Sequence, residues 1–568
     1  MSRPTPGARA ALHDARHARP FSPEARSAAI AALGRVRFDM LIVGGGITGA
    51  GIARDAAMRG VNVALVERED FGAGTSSRSS RLIHGGLRYL EHGHLHLVFE
   101  SSRERRILTR IAPHLVRPLE LTWPLYDQAR IRPWKLRAGL MLYDALSLFR
   151  NLGRHSHLDG EQIAALEPEL RQHGLRGGAT YYDASTDDAR LTLANARAAA
   201  TSGAIVANHV EVRELIREGE EVRGALATDM LTGSEVKVRA DLVINATGPW
   251  ADSLTRLAAP FSVPGVRGTK GVHVAIQRER VGNRGALTLL SPIDGRVIFM
   301  LPAGELTIIG TTESEHDGPL DSVRASEDDI TYLLRSANAF FPAAHLGLPD
   351  VVSAWAGVRP LVAARANGDL RSASREHLIA RTAPGLLTVS GGKLTTYRVM
   401  AAQTVDAAMR LLGWASPPRA HTERTPLPGG DIASLEDEID AARQAVGSFP
   451  LAQHLASSYG SEWREVWERV RQDESLGAPI IPPLPYIAAE LHHAVSSEMA
   501  MTLGDILIRR LHVAFGTRDH GLEIAPGVAE LVAPLLGWNS ATVEAELARY
   551  EDDVLRMFGV EEGAGTRE

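Results

Sequence analysis

The chain has 568 residues, enough for more than one domain, and its 44% hydrophobic and 23% charged content is that of a soluble globular protein. A net charge of −6 gives no electrostatic reason to expect nucleic acid as a partner. The absence of cysteine excludes disulfides, thiolate metal sites, iron–sulfur clusters and thiol nucleophiles, and leaves the cytoplasm as the default compartment.

Residues 1–37 are rich in Ala, Arg and Pro, with only Asp14 and Glu24 as acids. An organellar presequence has this bias, but prolines at 4, 6, 20 and 23 interrupt any long amphipathic helix, and the stretch reads as a disordered tail. No apolar run approaches the ~20 residues that span a bilayer.

Met40–Val43 is a short branched apolar run of the kind a buried parallel strand requires. Gly44, Gly46 and Gly49 follow with G-x-G-x-x-G spacing where strand should become helix. The first permits the turn, the second lets a pyrophosphate approach the main chain, and the third lets helix pack on strand. Val61–Val66 supplies a second strand that ends at Glu67, a carboxylate placed to accept hydrogen bonds from a ribose. Together these features specify a dinucleotide-binding βαβ unit.

Residues 72–90 carry hydroxyls first (Thr75, Ser76, Ser77, Ser80) and then His84, Arg88 and Tyr89. Small side chains allow such a stretch to run beside a phosphate-bearing cofactor, although a Ser/Gly-rich linker has a similar composition. His92, His94 and His96 alternate, but at about 100° per residue they do not converge, so no metal is expected. Residues 130–149 combine four cations, Trp134 and an apolar run. That composition suits a helix lying on a membrane surface, and equally an ordinary core helix.

A helix is expected from Ser185, capped by Thr186, with Asp187 and Asp188 in its first turn. Asp241–Asn245 reads as another buried strand leading to Gly248, a second approach to the same nucleotide. Asn245-Ala246-Thr247 matches a glycosylation sequon but lies on that buried strand. Residues 260–350 alternate strand-like runs with turns, a mostly antiparallel sheet suited to flooring a substrate site. Lys270 and His273 stand at its start, and Pro360 biases Arg359 to an extended backbone. Leu386–Val389 is a further strand, followed by Gly391, Gly392, Lys393, Leu394 and Thr395. This is not an ATP-binding P-loop, because Leu387 and Leu394 occupy positions that need Gly and Ser/Thr. What remains is a glycine-preceded helix start near Lys393 that stabilises negative charge. Only four of the 62 basic residues are lysine (135, 237, 270 and 393), so each marks a place where the arginine fork is unsuitable or a chance retention.

The blocks Gly44–Gly51, Ser76–Leu90, Asp187–Leu191, Asn245–Trp250, Gly357–Pro360 and Gly391–Tyr397 resemble, in order, those of the FAD-dependent glycerol-3-phosphate dehydrogenases. The resemblance implies FAD, a fold like that of D-amino-acid oxidase, and oxidation of sn-glycerol 3-phosphate to dihydroxyacetone phosphate. It also implies electron transfer to a membrane quinone by a homodimer attached peripherally to the inner, cytoplasmic face of the membrane. The expected architecture is α/β: a Rossmann-like FAD-binding domain over 38–415 and a C-terminal helical domain over 420–568. An antiparallel substrate sheet would be inserted in the first at about 110–170 and 260–350. Val272 replaces a serine of the family's Lys-Gly-Ser-His block, which puts any hydroxyl role there in question.

The chemistry then assigns candidates. Removing the C2 hydroxyl proton as hydride leaves needs a base with a pKa near neutrality, for which His84 is the first choice and His273 the reserve. Arg88, Arg359 and Arg375 suit a phosphate through bidentate bonds, with Tyr89 as a donor, Lys393 as a point charge and Lys270 completing the set. Gly44, Gly46, Gly49, Glu67, Thr75, Ser76, Ser77, Ser80, Gly248, Gly392, Lys393, Leu394 and Thr395 are the cofactor-binding candidates. A glycerol-3-phosphate oxidase, an amine oxidase of the same fold and a flavin-binding sensor without catalysis are the alternatives.

Overall fold

The computed structural model describes residues 21–87, 94–127, 131–147, 151–262, 265–316, 318–362 and 377–563. Two sheets and a set of C-terminal helices make up an α/β protein. The main path of the first sheet runs His377–Ala383, Leu386–Gly391, Glu235–Asn245, Arg37–Val43, Val63–Val66, Ile205–Ala207, and along it only the first pair is antiparallel. Arg37–Val43 is central and therefore apolar on both faces. Met40 and Ile42 pack under the helices Ile47–Met58, Asp188–Thr201 and Tyr397–Leu411. Leu41 and Val43 face the opposite core, shared with an antiparallel meander (Val210–Glu218, Glu221–Asp229).

That second core is completed by the helix Pro23–Arg35, which corrects the disordered reading of 1–37 for its latter part; residues 1–20 lie outside the described residues. Pro23 starts this helix rather than breaking it, because a first-turn N–H has no acceptor within the helix and proline loses no bond by lacking one. Ser22 Oγ accepts from Ala25 N at 3.2 Å, and Arg26 is buried in an ion pair with Asp229 at 2.5 Å. A second correction concerns the helix expected from Ser185. The strand Leu175–Thr186 runs on through that point, and Asp187, not Thr186, caps Asp188–Thr201 by accepting from Arg190 N at 3.0 Å.

The second sheet is antiparallel except where Ala286–Leu290 meets Val116–Tyr126. It reaches beyond 110–170 and 260–350, since Leu175–Thr186 and Val351–Val362 are among its longest strands. Val351–Val362 pairs with Val266–Gln277 along its length, setting Gly271 opposite Gly357 and His273 opposite Trp355.

The C-terminal helices run from Leu435–Val446 to Ser540–Phe558. They dock on the first domain through buried ion pairs. Asp70 meets Arg509 at 2.8 Å and Arg510 at 2.6 Å, and Arg190 meets Glu498 at 2.5 Å. Burial alone would raise the Glu498 carboxyl, but Arg190, with His493, Arg197 and Arg510, holds it at about 2. A depressed carboxylate stabilises the fold fully above its unfolded pKa and loses that contribution as pH falls through the folded value. Glu498→Gln should therefore cost about 3–5 kcal/mol at pH 7 by leaving Arg190 unpaired. Denaturant titrations should show that deficit shrinking as pH drops from about 4.5 toward 2.

Candidate functional site

Between the two sheets lies a cavity of about 570 Å³, and a second of about 400 Å³ adjoins it. The first begins at the C-terminal edge of the parallel sheet. Gly44 takes a positive φ of 107° there, and Gly46 caps the helix Ile47–Met58. A Cβ on Gly49 would sit 1.8 Å from Gly44 O, so only glycine brings that helix onto the turn. Glu67 accepts from Gly45 N at 2.6 Å and Glu69 N at 2.9 Å. Burial, partly offset by those N–H groups, raises its pKa. Such a carboxylate gains from a further donor, as a ribose hydroxyl provides.

Thr75, Ser76 and Ser80 line this cavity, with Gly248, Gly392, Lys393 and Leu394. Ser76 Oγ accepts from Ile47 N at 3.0 Å, and Thr75 Oγ1 donates to Val358 O at 2.6 Å, tying the loop to the helix Ile47–Met58 and to the second sheet. Ser77 is buried away from the cavity, and Thr395 acts indirectly through hydrogen bonds to the main chain of His84. Bare main chain at a helix N-terminus, an acid at the ribose position and a narrow hydroxyl-lined wall suit an adenine dinucleotide such as FAD.

At the far end four side chains, Ser80, His84, Phe299 and Arg359, line both cavities. Alternation along the paired strands puts Gly271, His273, Trp355 and Arg359 on one face. A Cβ on Gly271 would stand 2.5 Å from the Arg359 guanidinium, which lies across that glycine and donates to Thr311 Oγ1 at 3.1 Å. His273 stacks on Trp355 at 5.5 Å and meets Ser80 Oγ through Nε2 at 2.8 Å. Burial, then Arg359 and Arg81, push its pKa down to about 3, so its ring is neutral at physiological pH. The main chain beside His84 is held by Asp183, which accepts from Gly85 N at 3.0 Å and is itself paired with buried Arg105.

The same alternation turns Lys270 to the other face, where it pairs with Asp329 at 2.7 Å. It lines neither cavity, which corrects its place among the catalytic candidates. Val272 shares that face and is fully buried in an apolar core, so a hydroxyl there would not reach the site. Arg88, Tyr89 and Arg375 lie outside the described residues, as does His92. His94 and His96 are exposed.

Sequence reasoning missed Arg78, Arg296, Phe299 and Thr311. Arg78 lies between the serines of the Ser76–Leu90 block and has no local pattern of its own. Arg296 follows the turn at Asp294-Gly295 and Thr311 follows a strand end, neither with a local signature. The second cavity is walled by Trp123, Ile131, Leu136, Leu142 and Tyr181, with Lys135 and Arg296 as cations. Leu136 and Leu142 come from the helix Pro133–Leu146, whose other side exposes Trp134 (68%) and Met141 (58%) beside Arg132 and Arg137.

Residues 39–398 match the family described as FAD dependent oxidoreductase. Residues 420–543 match the C-terminal domain of alpha-glycerophosphate oxidase. Glycerol-3-phosphate dehydrogenase 2 of Mycobacterium tuberculosis is 39% identical over 533 residues, 93% of this chain and 90% of that protein. The mitochondrial glycerol-3-phosphate dehydrogenase of Mus musculus is 36% identical over 531 residues, 90% of this chain and 72% of its own length. A glycerol-3-phosphate dehydrogenase from Bacillus halodurans, solved in complex with FAD, superimposes with a TM-score of 0.78 at 30% identity. That match covers 94% of this chain and 98% of that one.

Gly49→Ala should yield protein that elutes as wild type in size exclusion but carries less than about a tenth of the flavin absorbance per chain. Full flavin content in the variant would contradict the packing described for that turn.

Proposed function

The chain belongs to the FAD-dependent oxidoreductases and, within them, to the glycerol-3-phosphate dehydrogenases; from that premise we propose how its residues divide the reaction. The reaction is oxidation of sn-glycerol 3-phosphate to dihydroxyacetone phosphate. The observation that carries the division is the shared rim, where His84 and Arg359 border both cavities. When bound, FAD accepts the hydride that leaves C2 of the substrate.

Gly44, Gly46 and the first turn of Ile47–Met58 would hold the diphosphate, Glu67 would accept from the ribose, and Gly392 to Leu394 would hold the redox end. Arg359 binds the substrate's phosphate, held in aim by Thr311 and by the space that Gly271 leaves. Arg296 and Lys135 add positive charge from the second cavity. His84 takes the C2 hydroxyl proton. His273 is the poorer base, since two arginines and burial keep its proton affinity low. Its Nε2 is engaged by Ser80, so it serves to orient that hydroxyl at the rim.

The electron acceptor is a membrane quinone. Supporting this, the second cavity is mainly apolar and is bordered by the helix Pro133–Leu146, whose free side presents Trp134 and Met141 among cations. An apolar stripe flanked by Arg and Lys is what seats a helix in an anionic lipid surface. Leu95 and Phe99 are also exposed, on the neighbouring helix Leu95–Ile111. Among the described residues no helix is long and apolar enough to cross a membrane, so such contact would be peripheral. The homodimer and the inner-face location rest on the family resemblance alone, and sedimentation equilibrium tests the first.

His84→Asn should retain FAD and slow its anaerobic reduction by glycerol 3-phosphate about 10²–10⁴-fold; an unchanged rate would remove His84 from the base role. Arg359→Ala should raise KM for glycerol 3-phosphate at least about tenfold, with Arg359→Lys recovering part of the loss. An unaltered KM would move the phosphate elsewhere. Trp134→Gln with Met141→Gln should abolish co-sedimentation with vesicles containing anionic lipid while leaving flavin reduction intact. Binding equal to wild type would contradict this face, and stoichiometric peroxide in air would replace the quinone with oxygen.

A further inference from the structure

Most of the buried arginines in the described residues are matched with acids, and Arg54 instead donates to the main-chain carbonyl of Thr425 at 2.6 Å. Arg26 has Asp229, Arg105 has Asp183, Arg190 has Glu498, Arg398 has Glu104 and Arg510 has Asp70. Arg78 is different. Its Nε is out of solvent without a hydrogen bond, and among the described residues no carboxylate forms an ion pair with its guanidinium. Burial pushes its pKa down to about 10, and Arg556 and Arg509 add repulsion against the attraction of Glu69 and Asp553. A cation placed this way destabilises the protein that carries it.

The loop's own bonds impose the placement. Arg78 N donates to Thr75 O at 3.2 Å, while Thr75 Oγ1 is fastened to Val358 O. The side chain lines the dinucleotide cavity with Gly46, Ser76 and Glu69. What would complete this part of the wall is an anion, and the ligand that fits the cavity carries a diphosphate. Arg556, from the last helix, lines the same cavity but is already matched, with Glu69 at 3.0 Å and Asp553 at 2.7 Å.

We propose that Arg78 is a cofactor-binding residue, the counter-ion of the FAD diphosphate, whose charge is uncompensated until the cofactor binds. Loading FAD then stabilises the protein partly by relieving that charge. This assignment concerns the cofactor and does not depend on which substrate reduces it.

The test uses apoprotein stripped of FAD, in wild type, Arg78→Ala and Arg78→Lys, with calorimetric titration of FAD, ADP and adenosine and thermal melts without ligand. Arg78→Ala should weaken FAD and ADP about 10–100-fold, the range of a charge-assisted contact, and Arg78→Lys should recover part of it. Adenosine, which lacks the diphosphate, should bind both proteins equally within about twofold. The Arg78→Ala apoprotein should melt at or above the wild-type temperature, the reverse of what loss of a structural contact produces. The proposal is overturned if ADP affinity is unchanged, or if adenosine weakens as much as ADP. It is equally overturned if the variant apoprotein melts lower while FAD affinity stays at wild type.

Discussion

A guanidinium that is to receive a phosphate has to be held still. Arg359 meets this constraint by lying across Gly271, with the Thr311 hydroxyl as an acceptor and the imidazole of His273 two residues along. The register of two strands makes it possible. With Gly271 opposite Gly357 and His273 opposite Trp355, all the site's side chains from this pair fall on one face. A slip of one residue would invert the faces, putting Lys270 and Val272 toward the cofactor and Arg359 toward an apolar core. The charge has an electrostatic consequence as well: it adds to burial in lowering the proton affinity of His273.

The C-terminal helices complete this arrangement from behind. Asp70 lies three residues beyond the ribose carboxylate Glu67, and it is enclosed by Arg509 and Arg510. Glu69, between them, is held by Arg556. The loop that carries Glu67 is thus braced by charges from the C-terminal helices. Removing one member of such a buried set strands its partners, which couples cofactor binding to docking of the last domain.

The parts that could be read in advance are those whose physics is local. Gly44, Gly46, Gly49 and Glu67 announce a dinucleotide site because turn, phosphate approach and ribose contact each demand a residue type at a fixed spacing. The strand Leu386–Gly391 was visible as the apolar run Leu386–Val389, and the second half of Glu235–Asn245 as the run Asp241–Asn245 that leads to Gly248. What escaped depends on distant partners. Lys270 looked catalytic beside His273, but strand alternation turns neighbours to opposite faces, and Asp329, 59 positions on, claims it. Arg78 carried no pattern of its own, because the absence of a partner cannot be seen before the fold is known. The helix Pro23–Arg35 was hidden by prolines, although a proline in a first turn favours a helix.

The central claim is that hydride leaves C2 of glycerol 3-phosphate at the rim shared by the two cavities, with His84 and Arg359 in attendance. Anaerobic stopped-flow reduction with substrate deuterated at C2 tests it most directly. The account predicts saturable bleaching of the flavin with a primary isotope effect on the limiting rate, and weaker competition from glycerol than from inorganic phosphate. Bleaching without an isotope effect at any substrate concentration, or none at all, would contradict it.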